Sequence, residues 1–192
     1  MIPIARPLID EREKENVLEV MDSGMLACGQ YVTDFEERFA SYIGTQYGNA
    51  TTSGTTGLHV ALEAAGIGEG DKVLTTPFTF IASSNSILYC GAEPVFVDVD
   101  PQTFNIDPEK MREALEADPE IKAVLIVHLY GLSCDMDHIM SLVEEYELKL
   151  IEDCAQSHGA KYKGQTVGTF GDTAVYSFYP TKNMTTGEGG IV

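Results

Sequence analysis

Ala123-Val124-Leu125-Ile126-Val127-His128-Leu129 is a near-continuous apolar run. Such a run is the mark of a strand in a parallel sheet whose two faces are both covered by helices. On its C-terminal side the sequence predicts a helix over Met136–Tyr146, then strands at Leu148–Glu152 and Thr173–Phe178. On its N-terminal side a helix begins at Pro108, with Asp107 as cap and proline in the first helical position, where its missing N–H does no harm. Before it come a strand at Pro94–Asp98, a helix at Ile81–Tyr89, a strand at Lys72–Thr75, a helix at Thr55–Ala65 and a short strand at Tyr47–Thr51. Two helices open the chain. Asp10 starts the first with a capping-box spacing to Glu13, and it runs to about Met21; the second covers Tyr31–Tyr42, with Phe35 and Phe39 on one buried face. The alternation implies an α/β fold: a mostly parallel sheet sandwiched by helices.

The 192 residues suffice for one such domain with a core of its own. Twelve basic against thirty acidic side chains give a formal charge of −18, which argues against non-specific binding to nucleic acid or to anionic membranes. It does not exclude a phosphorylated ligand, because backbone dipoles hold phosphate locally. Cys28, Cys90, Cys134 and Cys154 are scattered without a CxxC pair and read as free thiols, neither a disulfide framework nor a zinc site; no metal site is expected. The N-terminus turns charged within a few residues, and no apolar run nears the roughly 20 residues that span a bilayer, so the expectation is a cytoplasmic protein. The chain stops at Gly190-Ile191-Val192, which reads as a strand just beginning and points to a truncated product.

Ligands of open parallel sheets bind beyond the carboxyl ends of the strands, so the residues just past each strand are the ones to weigh. After the first strand, Ser53-Gly54-Thr55-Thr56-Gly57 runs into a helix and offers small residues, hydroxyls and free amides to an anion; an ordinary N-cap by Ser53 or Thr55 would look the same. After Lys72–Thr75 come Phe78 and Phe80, either platforms for a planar ring or core residues. Asp153, Gln156 and His158 follow Leu148–Glu152. Asp153 needs a partner if buried, either a cationic ring nitrogen or the next turn's backbone, and His158 is a base or a satisfied polar residue. Lys182 follows Thr173–Phe178 on a proline-stiffened turn, ahead of the glycines of Met184–Gly190. Gly66-Ile67-Gly68-Glu69-Gly70 is no dinucleotide fingerprint, since it follows a helix and precedes a strand, and it reads as a helix-ending turn. A nicotinamide-binding domain is correspondingly disfavoured. Taken together, a phosphate cradle, an aromatic face, an aspartate and a lysine at one sheet edge are what pyridoxal 5'-phosphate (PLP) requires.

The run Ser177-Phe178-Tyr179-Pro180-Thr181-Lys182-Asn183 with Thr186-Gly187-Glu188-Gly189-Gly190 resembles the sugar aminotransferase group of fold-type I PLP enzymes, the DegT/StrS family. Ser53-Gly54-Thr55, Pro94–Asp98, His128-Leu129-Tyr130-Gly131, Glu152-Asp153 and His158-Gly159-Ala160 resemble it too, so the likeness spans nearly the whole chain. The resemblance implies that residues 1–192 are a PLP-binding large domain, incomplete and without the smaller C-terminal domain. It implies Lys182 as catalytic Schiff-base lysine and proton carrier, and Asp153 as partner of the pyridinium nitrogen. Thr55, Thr56 and Ser177 are implied as phosphate ligands, Phe80 as the stacking aromatic, and Gln156 against the cofactor hydroxyl. The implied reaction moves an amino group from glutamate or glutamine to a keto-sugar nucleotide, in deoxyamino sugar and cell-surface polysaccharide synthesis. The implied assembly is a homodimer. Related sugar dehydratases carry histidine at the lysine position, so Lys182 favours transamination over that alternative, while a truncated, non-catalytic or regulatory relative is the other. Sugar choice is expected to lie in loops such as Ser23–Tyr31 and downstream of Val192.

Overall fold

In the computed structural model, which describes residues 2–192, helices α1 (Glu11–Ser23) and α2 (Gln30–Ile43) precede strand β1 (Ala50–Thr51). Then α3 (Gly54–Ala64), β2 (Lys72–Thr75), α4 (Ala82–Tyr89), β3 (Glu93–Phe96), α5 (Pro108–Ala117) and β4 (Ile121–Val127) follow in turn. A 3-10 turn at Leu129–Gly131 leads to α6 (Met136–Glu145), β5 (Lys149–Asp153), β6 (Lys161–Tyr162), β7 (Gln165–Thr166), β8 (Thr173–Ser177) and β9 (Gly190–Ile191).

Among the described residues seven strands form the main sheet, in the order β1-β9-β8-β5-β4-β2-β3. The five from β8 to β3 are parallel. The other two are not: β9 runs antiparallel to both β8 and β1. The loop that joins β8 to β9 carries no crossover helix, so β9 returns alongside β8 in the opposite sense. The order of the inner strands is that of a doubly wound sheet, and the apolar run sits near its middle, as its composition demands.

Side-chain alternation along β4 divides the core. Ala123, Leu125 and Val127 join Leu58, Leu62, Val73 and Ile87 beneath α3 and α4. Val124 and Ile126 face the other way, into Leu74, Met111, Leu115, Ile139 and Leu142 beneath α5 and α6. On that second face α5 carries the Asp107 cap, whose side chain accepts from the N–H groups of Glu109 and Lys110. Phe39 of α2 packs with Phe35, ring centroids 5.7 Å apart, in a third cluster with Tyr176, Phe178 and Ile191. Helix α1 has the capping box read from Asp10 and Glu13, but buries none of its residues.

Several boundaries move for local reasons. The strand expected over Tyr47–Thr51 is formal only at Ala50–Thr51, although Asn49 and Val192 still exchange two backbone hydrogen bonds of 2.8 and 3.0 Å. The strand expected over Ala123–Leu129 ends at Val127: His128 N–H makes the last bond to β5, at the Asp153 carbonyl 3.1 Å away, and its backbone at φ −83°, ψ 80° then turns into Leu129–Gly131. The glycine-rich run after α3 is the expected turn, with Gly66 and Gly70 at φ +82° and +81°. The β6–β7 hairpin is unforeseen. Its two-residue loop, Lys163-Gly164, sits at φ +49° and +94°, and lysine at the first position hides the usual Asn-Gly signal.

Next to β5 lies a fully buried ionic group. Glu152 Oε2 accepts from Gly168 N–H at 2.7 Å and lies 3.0 Å from His128 Nε2, while Oε1 accepts from Phe170 and Gly171 N–H, both at 2.8 Å. Cys134 N–H donates to His128 Nδ1 at 3.0 Å, so that nitrogen is bare and Nε2 carries the proton given to Glu152. Burial pushes the Glu152 carboxyl up, but the His128 ring and the backbone donors outweigh it and hold the group below the ordinary glutamate range. Gly171 is essential to this clamp, since a Cβ there would meet the Leu150 carbonyl oxygen at 2.5 Å.

Glu152→Gln turns an amide N–H₂ toward backbone donors and should lower stability by roughly 2–4 kcal/mol at neutral pH. The sign with pH follows from a depressed folded value. The clamp's contribution is whole above the unfolded value of about 4.3 and fades as pH falls through the folded one. Urea unfolding should therefore show the two proteins converging in acid.

Candidate active site

The carboxyl ends of β5 and β8 meet the N-termini of α3 and α4 around a cavity of about 490 Å³. Gly54, Thr55, Phe80, Asp153, Gln156, Ser177 and Lys182 all line it. Six of the residues expected from sequence, from four separate stretches of the chain, are thus brought to one place.

Thr56 is the exception. It is not part of the cavity wall: its N–H bonds to Ser53 Oγ at 3.1 Å, and its hydroxyl caps Ser53 N–H at 3.0 Å. The capping reading holds for this pair, and the cradle is left to Gly54, Thr55 and Ser177, where α3 presents its first N–H groups. The approach is close. A Cβ on Gly54 would stand 2.7 Å from Ser177 Cβ, so glycine alone lets the helix end abut β8.

Asp153 is buried at the end of β5. Its Oδ1 accepts from Ala155 N–H at 3.1 Å, the turn-capping bond, and its Oδ2 accepts from Ser83 Oγ at 2.8 Å. Burial raises its carboxyl above the ordinary aspartate range, against the pull of those two bonds and of the Lys182 charge. The capping reading of Asp153 is borne out, and its carboxylate forms no ion pair among the described residues.

Lys182 is half-buried, on the turn in which its N–H reaches the Tyr179 carbonyl at 2.9 Å. Desolvation lowers its ammonium below the usual lysine range, and Asp153 opposes that. A lysine so shifted is a better nucleophile than a solvated one. Phe80 is 67% exposed, which rules out the core reading and leaves its ring free at the cavity lip. Phe78, also exposed, packs on Phe104 with centroids 5.5 Å apart. Gln156 Oε1 accepts from Tyr130 N–H at 2.9 Å, and Tyr130 is held at φ +53°, in left-handed space unusual for a side chain. His158 stays outside the wall. Its Nδ1 lies 3.2 Å from Asn183 Oδ1, its ring packs among Phe39, Tyr176 and Phe178, and burial lowers its pKa. The satisfied-polar reading holds at Nδ1 alone, because Nε2 is buried without a hydrogen-bond partner.

Two contributors escape a reading of strand ends. Glu188 reaches the cavity from the glycine loop, and Ser83 touches Asp153 from the first turn of α4. The signal for the second is the run Ala82-Ser83-Ser84-Asn85-Ser86, small and polar where a buried helix would use aliphatic residues.

Residues 7–192 match the family model described as the DegT/DnrJ/EryC1/StrS aminotransferase family. The chain belongs to that family. A GDP-perosamine synthase of Caulobacter vibrioides is 47% identical over 192 residues, all of this chain and 51% of that protein. The aminotransferase from Psychrobacter cryohalolentis superposes with a TM-score of 0.92 at 45% identity, over 96% of this chain and 47% of that one. A Streptococcus pneumoniae protein described as a sugar aminotransferase, in its PLP form, gives 0.94 at 31% identity over 99% of this chain and 52% of its own. The chain spans about half the length of the relatives it matches. The four cysteines are free, and no helix among the described residues is long and apolar enough to cross a membrane.

The residues present fit PLP. Asp153 is buried with Ala155 N–H and Ser83 Oγ as its hydrogen-bond partners, Gly54 lets the N-terminus of α3 close on β8 beside Ser177, and a half-buried lysine shares the same cavity. A metal fits the neighbouring His128–Glu152 group less well, because hydrogen bonds already occupy both glutamate oxygens and the bare ring nitrogen.

Asp153→Asn should stabilise the protein without ligand at neutral pH. Asp153 has a raised folded value, so its penalty is absent below the unfolded value of about 3.9 and complete above the folded one. Urea midpoints should favour the variant at pH 7 and coincide with wild type in acid.

Proposed function

We propose that the chain is the PLP-binding part of an aminotransferase that passes an amino group from glutamate or glutamine to a keto-sugar nucleotide. The observation that carries this reading is the single cavity that joins Lys182, Asp153 and the α3 N-terminus. When bound, PLP supplies an electrophilic aldehyde and a ring that withdraws electrons once its nitrogen is protonated.

The chain's own groups divide the work. Gly54 and Thr55 bind phosphate through the N–H groups at the helix end, with the hydroxyls of Thr55 and Ser177 beside them. Phe80 offers a flat apolar face, and Gln156 a side-chain amide for the ring hydroxyl. Asp153 would face the ring nitrogen and favour its protonated form. Lys182 would hold the aldehyde end through Nζ and would carry protons at that same nitrogen. The nucleotide-sugar acceptor is supported by the likeness to the Caulobacter vibrioides GDP-perosamine synthase. Transamination is preferred to dehydration because Lys182 stands where the dehydratases carry histidine. A homodimer in the cytoplasm that serves cell-surface polysaccharide synthesis completes the reading.

Purified protein mixed with PLP should show a visible absorbance band, and borohydride should fix one cofactor on the peptide containing Lys182. Lys182→Ala should lose both, together with amino transfer from glutamate. Wild type that shows no band and no labelled lysine would overturn the proposal.

A further inference from the structure

Asp153 Oδ2 is held by Ser83 Oγ at 2.8 Å, and Ser83 Oγ lies 3.1 Å from Thr79 Oγ1. Ser83 is 1% exposed, on the first turn of α4. The other serines of that run bond to their own helix, as helical serines ordinarily do. Ser84 Oγ donates to the Ile81 carbonyl at 3.2 Å and Ser86 Oγ to the Ser83 carbonyl at 3.0 Å. Ser83 alone of the three turns away from its helix, toward a strand seventy positions on.

The direction of these bonds is determined by charge. An ionised carboxylate has acceptors only, and a serine has one hydroxyl proton. Ser83 therefore donates to Asp153, accepts in its contact with Thr79, and leaves Thr79 as donor. Were Asp153 protonated on Oδ2, the acid would donate and both hydroxyls would have to rotate. With Asp153 ionised, the Thr79 hydroxyl is free to donate to Ser83 Oγ, and a hydroxyl so polarised gives a stronger bond to the anion. Hydrogen bonds to a charged acceptor are the strong ones, more so away from water. The other titratable groups beside Asp153 are Lys182 from the turn after β8, His128 at the end of β4 and the adjacent Cys154. His128 is the neutral tautomer given to Glu152, so Lys182 is the cation of this set.

We propose that Ser83, polarised by Thr79, is a positioning residue that keeps Asp153 ionised and turned to the cavity, ready for the ring nitrogen of the cofactor. This rests on the PLP reading, and it deepens it by assigning a residue that contacts neither cofactor nor substrate.

Carbon-13 carboxyl titration of the ligand-free protein, with Asp153 assigned through Asp153→Asn, reads the effect without any cofactor. Ser83→Ala should raise the Asp153 midpoint, and Thr79→Val should move it the same way by less. An Asp153 midpoint unmoved in Ser83→Ala overturns the proposal. Binding then tests the link to the ring. Ser83→Ala should weaken PLP by about 10-fold, the scale of one hydrogen bond to a charged group, and leave 1-deaza-PLP, which has carbon in place of the ring nitrogen, within twofold of wild type. Equal weakening of both ligands shows a packing defect and overturns the positioning role. Wild type that binds neither ligand overturns the cofactor reading and, with it, the link to the ring, while the carboxyl titration still decides whether Ser83 governs Asp153.

Discussion

Adjacent residues of one strand point to opposite faces of a sheet, and at the end of β5 those residues are two buried carboxylic acids. Desolvation is severe for both, and the chain answers it differently on each side. Glu152 is surrounded by protein donors, three of them backbone N–H groups of the 168–171 turn, and its charge is fully compensated. Asp153 has one backbone donor and one hydroxyl, and its nearest cation is a lysine that is itself pushed toward neutrality. The first acid fastens the fold. The second is left short of a cation, and that deficit is the property from which a role for the cavity follows.

Conformation around the pair serves the same end. The 168–171 turn approaches so near that glycine is required at 171, and α3 approaches β8 so near that glycine is required at 54. Both contacts bring backbone N–H groups to bear on an anionic site: Glu152 in one case, the cradle beside Ser177 in the other. In a protein with a formal charge of −18, backbone N–H groups are the means by which an anion such as Glu152 is held.

The sheet was legible because its inner strands are apolar on both faces, and Ala123–Val127 admits few other readings. Asp107 and Asp10 marked their helices because a capping side chain is local chemistry. The placement of Lys182, Asp153, Phe80, Gln156 and Thr55 together followed from a topological rule about strand ends, while Ser177 came in only through the family resemblance. What escaped was set by tertiary contact. The Thr56 hydroxyl could serve a ligand or its own cap, and only the folded turn shows that it serves the cap. Ser83 lies inside a helix, where no strand-end rule looks. The pairing of β9 with β1 joins residues almost the whole chain apart.

That pairing has a kinetic meaning. Ala50 pairs with Ile191 and Thr51 with Gly190, so the strand that leads into α3 joins the sheet through residues about 140 positions away. Closing so long a loop is an entropic barrier that local helices do not face. The corner where β1 meets α3 therefore closes through contacts of high sequence separation. A ligand that grips it restrains the edge of the sheet, so occupancy and resistance to unfolding rise together.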